Sequence, residues 1–472
     1  MEEYPDELRT PPVPLIALVG CSELHPTISA HLHAEKPPIN TLALPDFDKI
    51  SVIAKRKHSV DSSSSSSAGF IKKDWLLKHR TKIPSVAVAL FDSDYVSGDP
   101  AQWIQLSTLL DHLNTIRTRN TKLVVVVVQS SPEDGLNEDR MVALRKRAEL
   151  DSKYIINFSV RDSSEVKQSL NRHDTFLIFF IFFHLCVLLV LIYYLCRLGS
   201  VLADLVHIYY REEGRRVKTR VDKRNFNSAE LGIRCCFKVA VYAEFRRDWV
   251  EALKFYEDAY HALREMVGTS TRLPAIQRLV EIKTLAEQLH FKISTLLLHG
   301  GKIVEAVLWF RQHCTSYKKL VGAEEATFLH WEWLSRQFLV FAELLETSSK
   351  NVPGFSALIL GIKDKALTEW ELQPAYYYQL AARYMMDKRS CLELAFSMWE
   401  VFSESSGIAE SVIPSNYVGQ FARLLEQGHE EVALQPLTDE EFIRYSIAEG
   451  KRFQDSFEII ALLKKSYEYI LA

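Results

Sequence analysis

Short, continuously apolar segments recur through the first 160 residues of the chain. Four of them are bounded by turn residues: PLIALVG (14–20), SVAVALF (85–91), KLVVVVVQ (122–129) and YIINFSV (154–160). Apolarity that is continuous rather than alternating is typical of strands buried on both faces, as in a parallel sheet. Helical patterns such as PAQWIQLSTLLDHLNTIRTRN lie between them. The order predicts an α/β N-terminal domain over residues 1–170, with a mostly parallel sheet flanked by helices.

One stretch of this domain departs from the pattern. KRKHSVDSSSSSSAGF, residues 55–70, is rich in serine and poor in large apolar residues. Such a composition cannot bury enough apolar surface to offset the entropy of ordering the chain. It predicts a disordered loop.

From about residue 228 the strand-like segments end and long amphipathic helical patterns follow one another. Three of these patterns place a small residue four positions before an aromatic one: Ala252 and Tyr256 (with Ala259 one turn further), Ala306 and Phe310, and Ala395 and Trp399. A small residue admits the neighbouring helix and the aromatic fills the groove, as in tetratricopeptide-like hairpins. The pattern predicts an all-α, TPR-like solenoid over residues 228–472, with an ordinary helical domain as the alternative.

Residues 175–196, TFLIFFIFFHLCVLLVLIYYLC, carry no charge. Phe176–Cys196 is long enough, at 1.5 Å per residue, to cross a hydrocarbon core of about 30 Å. One interpretation is therefore a single membrane span with undetermined orientation, because basic residues flank both ends. The chain would then be an integral membrane protein that displays a cytosolic helical-repeat interaction domain.

The flanking sequence favours a different interpretation, in which residues 173–197 are an insert. Without these 25 residues the chain reads DSSEVKQSLNR–LGSVLADLVHIYYREEGRR. Val166 and Leu170 then continue the helical apolar stripe that runs through Leu198, Leu202 and Leu205. Codons for Phe, Leu, Ile and Val share a central U, so a short retained intron would have this composition. Sequencing of the mature transcript tests this hypothesis.

Residues 198–227 are predicted to form a helix and a basic linker. Arg211–Arg224 contains seven basic and three acidic residues. This stretch fits a surface for anionic lipid headgroups or for an acidic partner. The alternative is a solvated helix end between two domains, which we favour because no aromatic residues alternate with the basic ones.

Residues at strand ends are the first candidates for chemistry. Gly20 follows the first strand, but GCSELH lacks the further glycines that bring a backbone close to a pyrophosphate. Asp92, Asp94 and Asp99 follow the second predicted strand. Their spacing does not match a calcium loop, so turn and N-cap roles explain them better than a metal site or an α/β enzyme site.

The remaining candidates are interpreted as structural. His207, His290 and His330 lie in helical patterns, and Cys235 and Cys236 stand beside an aromatic residue in a helix. We therefore predict no catalytic, cofactor-binding or metal-binding residues and no enzyme activity.

The composition limits the remaining classes of protein. A net charge of −3 indicates no nucleic-acid partner, and seven cysteines without a CxxC pair fit a reducing compartment. The N-terminus has no signal-peptide pattern. The last residues end inside an apolar helical pattern, so the chain is expected to be C-terminally truncated.

Four long stretches carry a resemblance to a known family: KVAVYAEFRRDWVEALKFYEDAYHAL, EIKTLAEQLHFKISTLLL, FRQHCTSYKKLVGAEEATFLHWEWLSRQFLVFAELL and QPAYYYQLAARYMM. They resemble the foie gras domain of the trafficking protein particle (TRAPP) complex subunit 11 family, in its plant-type form, over roughly residues 198–472. The α/β region is similar to the N-terminal part of the same family.

The resemblance implies a non-enzymatic scaffold subunit of a vesicle-tethering complex in ER-to-Golgi and Golgi traffic, with autophagy-related roles. It implies other TRAPP subunits as partners and Rab GTPases as indirect ones, because nucleotide exchange is carried out by other subunits. It also implies a cytoplasmic protein, peripheral on Golgi and ER–Golgi membranes, that reaches them through the complex.

Overall fold

The computed structural model describes residues 6–44, 46–50, 75–97, 99–116, 120–129, 138–159, 176–223, 229–269, 276–321, 327–351, 367–400 and 455–471. For 6–7, 48, 159, 176–191, 220–223, 276–277, 349–351, 395–400, 455–457 and 471 this description covers the backbone but not the side chains. The predicted loop 55–70 therefore lies outside the described residues, and so do the side chains of Ala395 and Trp399.

The described strands are β1 (Leu15–Val19), β2 (Asn40–Leu44), β3 (Val86–Asp92), β4 (Lys122–Gln129) and β5 (Ile155–Ser159). They form one sheet in the order β2-β1-β3-β4-β5, and every neighbouring pair is parallel. This is a doubly wound order whose direction reverses between β1 and β3. The prediction of an α/β N-terminal domain is thereby confirmed.

The described helices are α1 (Asp6–Arg9), α2 (His25–Ala34), α3 (Trp75–Thr81), α4 (Pro100–Asn114), α5 (Glu138–Ala148), α6 (Phe176–Lys223), α7 (Ala229–Phe245), α8 (Trp249–Thr269), α9 (Ile276–His299), α10 (Ile303–Tyr317), α11 (Thr327–Asn351), α12 (Pro374–Glu400) and α13 (Asp455–Leu471).

The two faces of the sheet are covered by different helices. Alternate strand residues such as Val125 and Val127 pack against α4 and α5, in a cluster that includes Leu110. The intervening residues, such as Val124 and Val126, belong to a second cluster that includes α2 and α6. Successive side chains on a strand point to opposite faces, so continuous apolarity reflects burial on both sides.

Helix α6 joins the sheet to the helical region. Leu198, Leu202, Leu205 and Tyr209 are all buried, as the apolar stripe predicts. The same helix contacts β3 and β4 on one side and α7 on the other. The sheet face and the helices therefore share one continuous core.

The predicted span Phe176–Cys196 forms the first part of α6. Leu195 is only 5% exposed, and the Tyr194 ring lies 5.5 Å from that of Phe158 at the end of β5. Tyr194 and Leu195, at the C-terminal end of the predicted span, thus pack on protein, whereas Ile192 and Tyr193 are exposed. Where side chains are described, no helix is long and apolar enough to cross a membrane.

Helices α7 to α13 pack as successive neighbours. The contacts run α7–α8, α8–α9, α9–α10, α9–α11, α11–α12 and α12–α13. Ala252, Tyr256, Ala259, Ala306 and Phe310 are all buried, as the small-to-aromatic spacing predicts. Contacts between helices one or two positions apart in the chain are typical of a solenoid, so the predicted all-α region is confirmed.

Candidate functional site

The carboxyl ends of β1 and β3 lie at the reversal point of the sheet, where doubly wound folds usually bind ligands. Gly20 has φ +80°, and a Cβ atom at this position would lie 2.1 Å from the carbonyl oxygen of Leu90. His25 Nε2 donates a hydrogen bond to the Gly20 carbonyl oxygen at 2.7 Å. Glycine is therefore required here by the close approach of β3.

The surroundings of this edge are unfavourable for anions and for nucleophilic chemistry. Burial, together with Glu23 and Asp92, raises the pKa of the Cys21 thiol to about 11. The thiol is consequently protonated near neutral pH and is a poor nucleophile. The neighbouring carboxylates would also repel a phosphate group.

Two of the three predicted aspartates, Asp92 and Asp99, serve as caps. The Asp92 carboxylate accepts hydrogen bonds from the Asp94 N–H and the Ser93 hydroxyl, both at 3.2 Å. The Asp99 carboxylate accepts from the Ala101 N–H at 2.9 Å and caps α4. These bonds correspond to the turn and N-cap roles. Among the described residues no group of three or more His, Cys, Asp or Glu side chains has metal-binding geometry.

The predicted histidines and cysteines lie in separate helices. Burial, Arg211 and Arg246 lower the pKa of His207 on α6. Cys235 and Cys236 are half-buried on α7, and Cys236 packs against the core. The structure does not bring these residues together into one site.

Helix α9 has a polar core that the sequence reasoning missed. Every residue from 282 to 294 is buried, although this segment includes charged side chains. The Lys292 ammonium pairs with the buried Glu244 carboxylate of α7 at 3.1 Å. Lys283 Nζ lies 2.8 Å from His330 Nδ1 of α11, and burial lowers the pKa of Lys283 to about 7. The sequence signal for this arrangement is the presence of charged and polar side chains in an otherwise apolar helix, which indicates that other helices surround it.

A stacked pair of imidazoles continues this polar core. His290 of α9 and His313 of α10 have ring centroids 4.2 Å apart. His313 Nδ1 and the Tyr260 hydroxyl of α8 are joined by a hydrogen bond at 2.7 Å. Burial lowers the pKa of His313 to about 3, while burial and His313 lower the pKa of His290 well below its ordinary value. Both rings are neutral at physiological pH and hold three helices together.

The outer surface of the helical region carries several large apolar side chains. On α13, Ile460, Leu463, Tyr467 and Ile470 are exposed along one face. Trp249 and Val250 are exposed at the start of α8. The buried polar groups connect one helix to another, whereas these exposed residues are available to a partner. The candidate functional site is therefore a surface and not a cavity.

The fold therefore defines a class: a doubly wound α/β domain whose last helix continues into an α-solenoid. The model of the trafficking protein particle complex subunit 11 N-terminal domain matches residues 58–167. The foie gras liver health family 1 model matches residues 278–470. The chain belongs to the family of trafficking protein particle complex subunit 11.

Individual relatives give the same result. Two of them are trafficking protein particle complex subunit 11 from Homo sapiens and from Bos taurus. Each is 26% identical to this chain over 407 residues, which is 82% of its length. The Gallus gallus protein of the same name has the same identity and coverage. The chain spans 31% of the length of these relatives.

Proposed function

We propose that this chain is a non-enzymatic scaffold subunit of a TRAPP-type vesicle-tethering complex. The observation that carries the proposal is the order of the two family matches, with the N-terminal model on the α/β domain and the foie gras model on the solenoid. Stacked helical hairpins offer long convex and concave surfaces that suit several protein partners. In this role the chain acts in ER-to-Golgi and Golgi traffic and in autophagy.

The proposed partners are the other TRAPP subunits. Rab GTPases are reached indirectly, because nucleotide exchange belongs to other subunits of the complex. The chain is cytoplasmic and peripheral on Golgi and ER–Golgi membranes, which it reaches through the complex. The capping roles of Asp92 and Asp99 support a non-enzymatic function for the α/β domain.

Affinity purification of the tagged chain from cells tests this proposal, with intact TRAPP core subunits expected in the eluate. Ala306→Arg places a long charged side chain at a buried helix contact, so capture through the solenoid should be lost. Ile104→Glu, on the exposed face of α4, is the matched surface control and should retain capture. A folded, intact chain that captures no TRAPP subunit would refute the proposal.

A further inference from the structure

The turn between α7 and α8 is rigidly built. The Asp248 N–H donates to the Ala243 carbonyl oxygen at 3.0 Å, and Arg247 has φ +59°. The Asp248 carboxylate then accepts from the Glu251 N–H at 3.1 Å and caps α8. These bonds satisfy groups at both helix ends and hold the next two residues in the first turn of α8.

Those two residues, Trp249 and Val250, are apolar and exposed. Trp249 is 40% exposed and Val250 is 83% exposed. The Arg247 guanidinium lies 5.5 Å from the centroid of the Trp249 ring. Because they begin a helix directly after a tight turn, they form a convex tip and not the wall of a groove. We call Arg247, Trp249 and Val250 the hairpin tip.

The acidic residues near the hairpin tip are already paired. Glu251 forms ion pairs with Lys218 of α6 and with Arg246, and Asp248 lies 3.7 Å from Arg246. These contacts place the tip beside the basic part of α6. The acid that interacts with Arg247 is the buried Glu244, which is itself paired with Lys292.

The adjacent surface adds further positive charge. Arg211 and Arg215 are exposed one turn apart on α6, and Lys254 is exposed one turn beyond Val250. Arg211 bonds to His207 Nδ1 at 3.0 Å, and the lowered pKa of His207 keeps that ring neutral, so the bond cancels no charge. Basic side chains of α6 and α8 therefore flank the apolar tip, and we call Arg211, Arg215 and Lys254 the basic rim.

We propose that the hairpin tip, together with Arg211, Arg215 and Lys254, is a contact site for the anionic headgroups of a membrane surface. Tryptophan favours the headgroup region, and a valine beside it can bury its apolar surface at the boundary with the acyl chains. A convex tip can enter there without a preformed groove. Basic residues within a Debye length of anionic lipid add attraction. An acidic protein would use the charges but would leave the apolar pair exposed. The tip would orient the chain on a membrane that the complex has reached.

Flotation of the full chain with vesicles tests this site. We compare phosphatidylcholine alone with phosphatidylcholine containing 30 mol% phosphatidylserine at about 0.1 M salt. The measured quantity is the gain in binding that phosphatidylserine produces. Insertion of an apolar helix would not depend on phosphatidylserine in this way. The gain should disappear at about 0.5 M salt, where the Debye length is shorter.

Val250→Glu is the informative variant, because an acidic residue in the first turn of a helix stabilises it. It should lower the phosphatidylserine-dependent binding about tenfold or more, through loss of the apolar contact and one added negative charge. Ile104→Glu makes the same kind of exposed change on α4 and should leave that binding unchanged. Arg215→Ala should lower it about fivefold.

Three outcomes would overturn the proposal: no phosphatidylserine-dependent binding, equal losses for Val250→Glu and Ile104→Glu, or binding that survives high salt. Competition with polyglutamate distinguishes an acidic protein partner from a membrane surface. If polyglutamate binds the chain and Val250→Glu does not weaken vesicle binding, the basic rim serves an acidic protein and the lipid assignment is wrong.

Discussion

Deletion of residues 173–197 tests the insert hypothesis against the packing of α6. The deletion brings Leu170 to the position of Leu195 relative to the rest of the helix, and Arg172 to the position of Arg197. Leu195 is buried against the sheet, so one leucine replaces another in the core. Ser169 replaces Tyr194, whose ring contacts Phe158. We expect this loss to cost about 1 kcal/mol of unfolding free energy.

A deletion that is one residue shorter, 173–196, is the matched control. It places Asn171 where Leu195 packs, so the core loses a leucine and must bury an amide. Loss of a buried leucine costs about 2–5 kcal/mol, and an amide without a partner adds to it. The two variants should differ by about 3 kcal/mol, although they differ in length by one residue. For a cooperative unit of about 200 residues, such as the α/β domain with α6, this difference corresponds to a shift of about 6–12 °C in the thermal midpoint.

Thermal unfolding of the purified variants, followed by circular dichroism, measures this difference. The 25-residue deletion should melt close to the full chain, and the 24-residue deletion well below both. Equal midpoints for the two deletions would show that residues before 173 do not continue the helix. The reverse order would contradict the register on which the insert hypothesis rests.

Three further predictions concern the interior. Unfolded His290 and His313 accept protons below their ordinary pKa of 6.5, whereas the folded rings do not. The free energy of unfolding should therefore fall by about 1.4 kcal/mol per pH unit for each ring below that pH. In urea titrations, the dependence of the unfolding free energy on pH should be smaller by one proton in His290→Phe, and an unchanged pH dependence would contradict this. Glu244→Gln should lower the free energy of unfolding by about 3–5 kcal/mol, because it leaves the Lys292 charge buried without its partner. The double variant Glu244→Leu with Lys292→Met should come close to wild type in the same titrations. Equal losses of stability in the two variants would argue against a buried ion pair. Gly20→Ala should cost more than about 2 kcal/mol through the clash and positive φ, and a wild-type melting temperature would exclude this strain.

Much of the α/β domain could be predicted from the sequence. The four apolar segments coincide with β1, β3, β4 and β5 to within one or two residues. Strand β2, Asn40–Leu44, was missed because it lies at the sheet edge, where its residues are half-exposed and the apolar run is short. Strand β2 is defined by its pairing with β1 and not by its own composition, whereas β5, at the other edge of the sheet, is apolar enough to be predicted.

The candidate site was less predictable. Asp92 and Asp99 were interpreted as turn and capping residues, because such bonds are made to neighbouring backbone groups. The surface at Trp249 and Val250 was not predicted, since exposure at a helix start depends on which face the other helices cover. The basic stretch on α6 was noted, but its position beside the tip depends on the contact between Lys218 and Glu251.

The sequence by itself determined the local elements, because each leaves a recognisable pattern. A strand buried on both faces gives a short continuous apolar run, and a packed helix gives a small residue four positions before an aromatic one. Only the tertiary structure decided what α6 and α9 do. Helix α6 carries one apolar stripe, yet it serves both the sheet and the solenoid. Helix α9 looks amphipathic, yet it is central, because Lys292 and His290 meet partners from other helices. Burial of a charge is tolerable only beside its partner, and that partner is brought close by the fold.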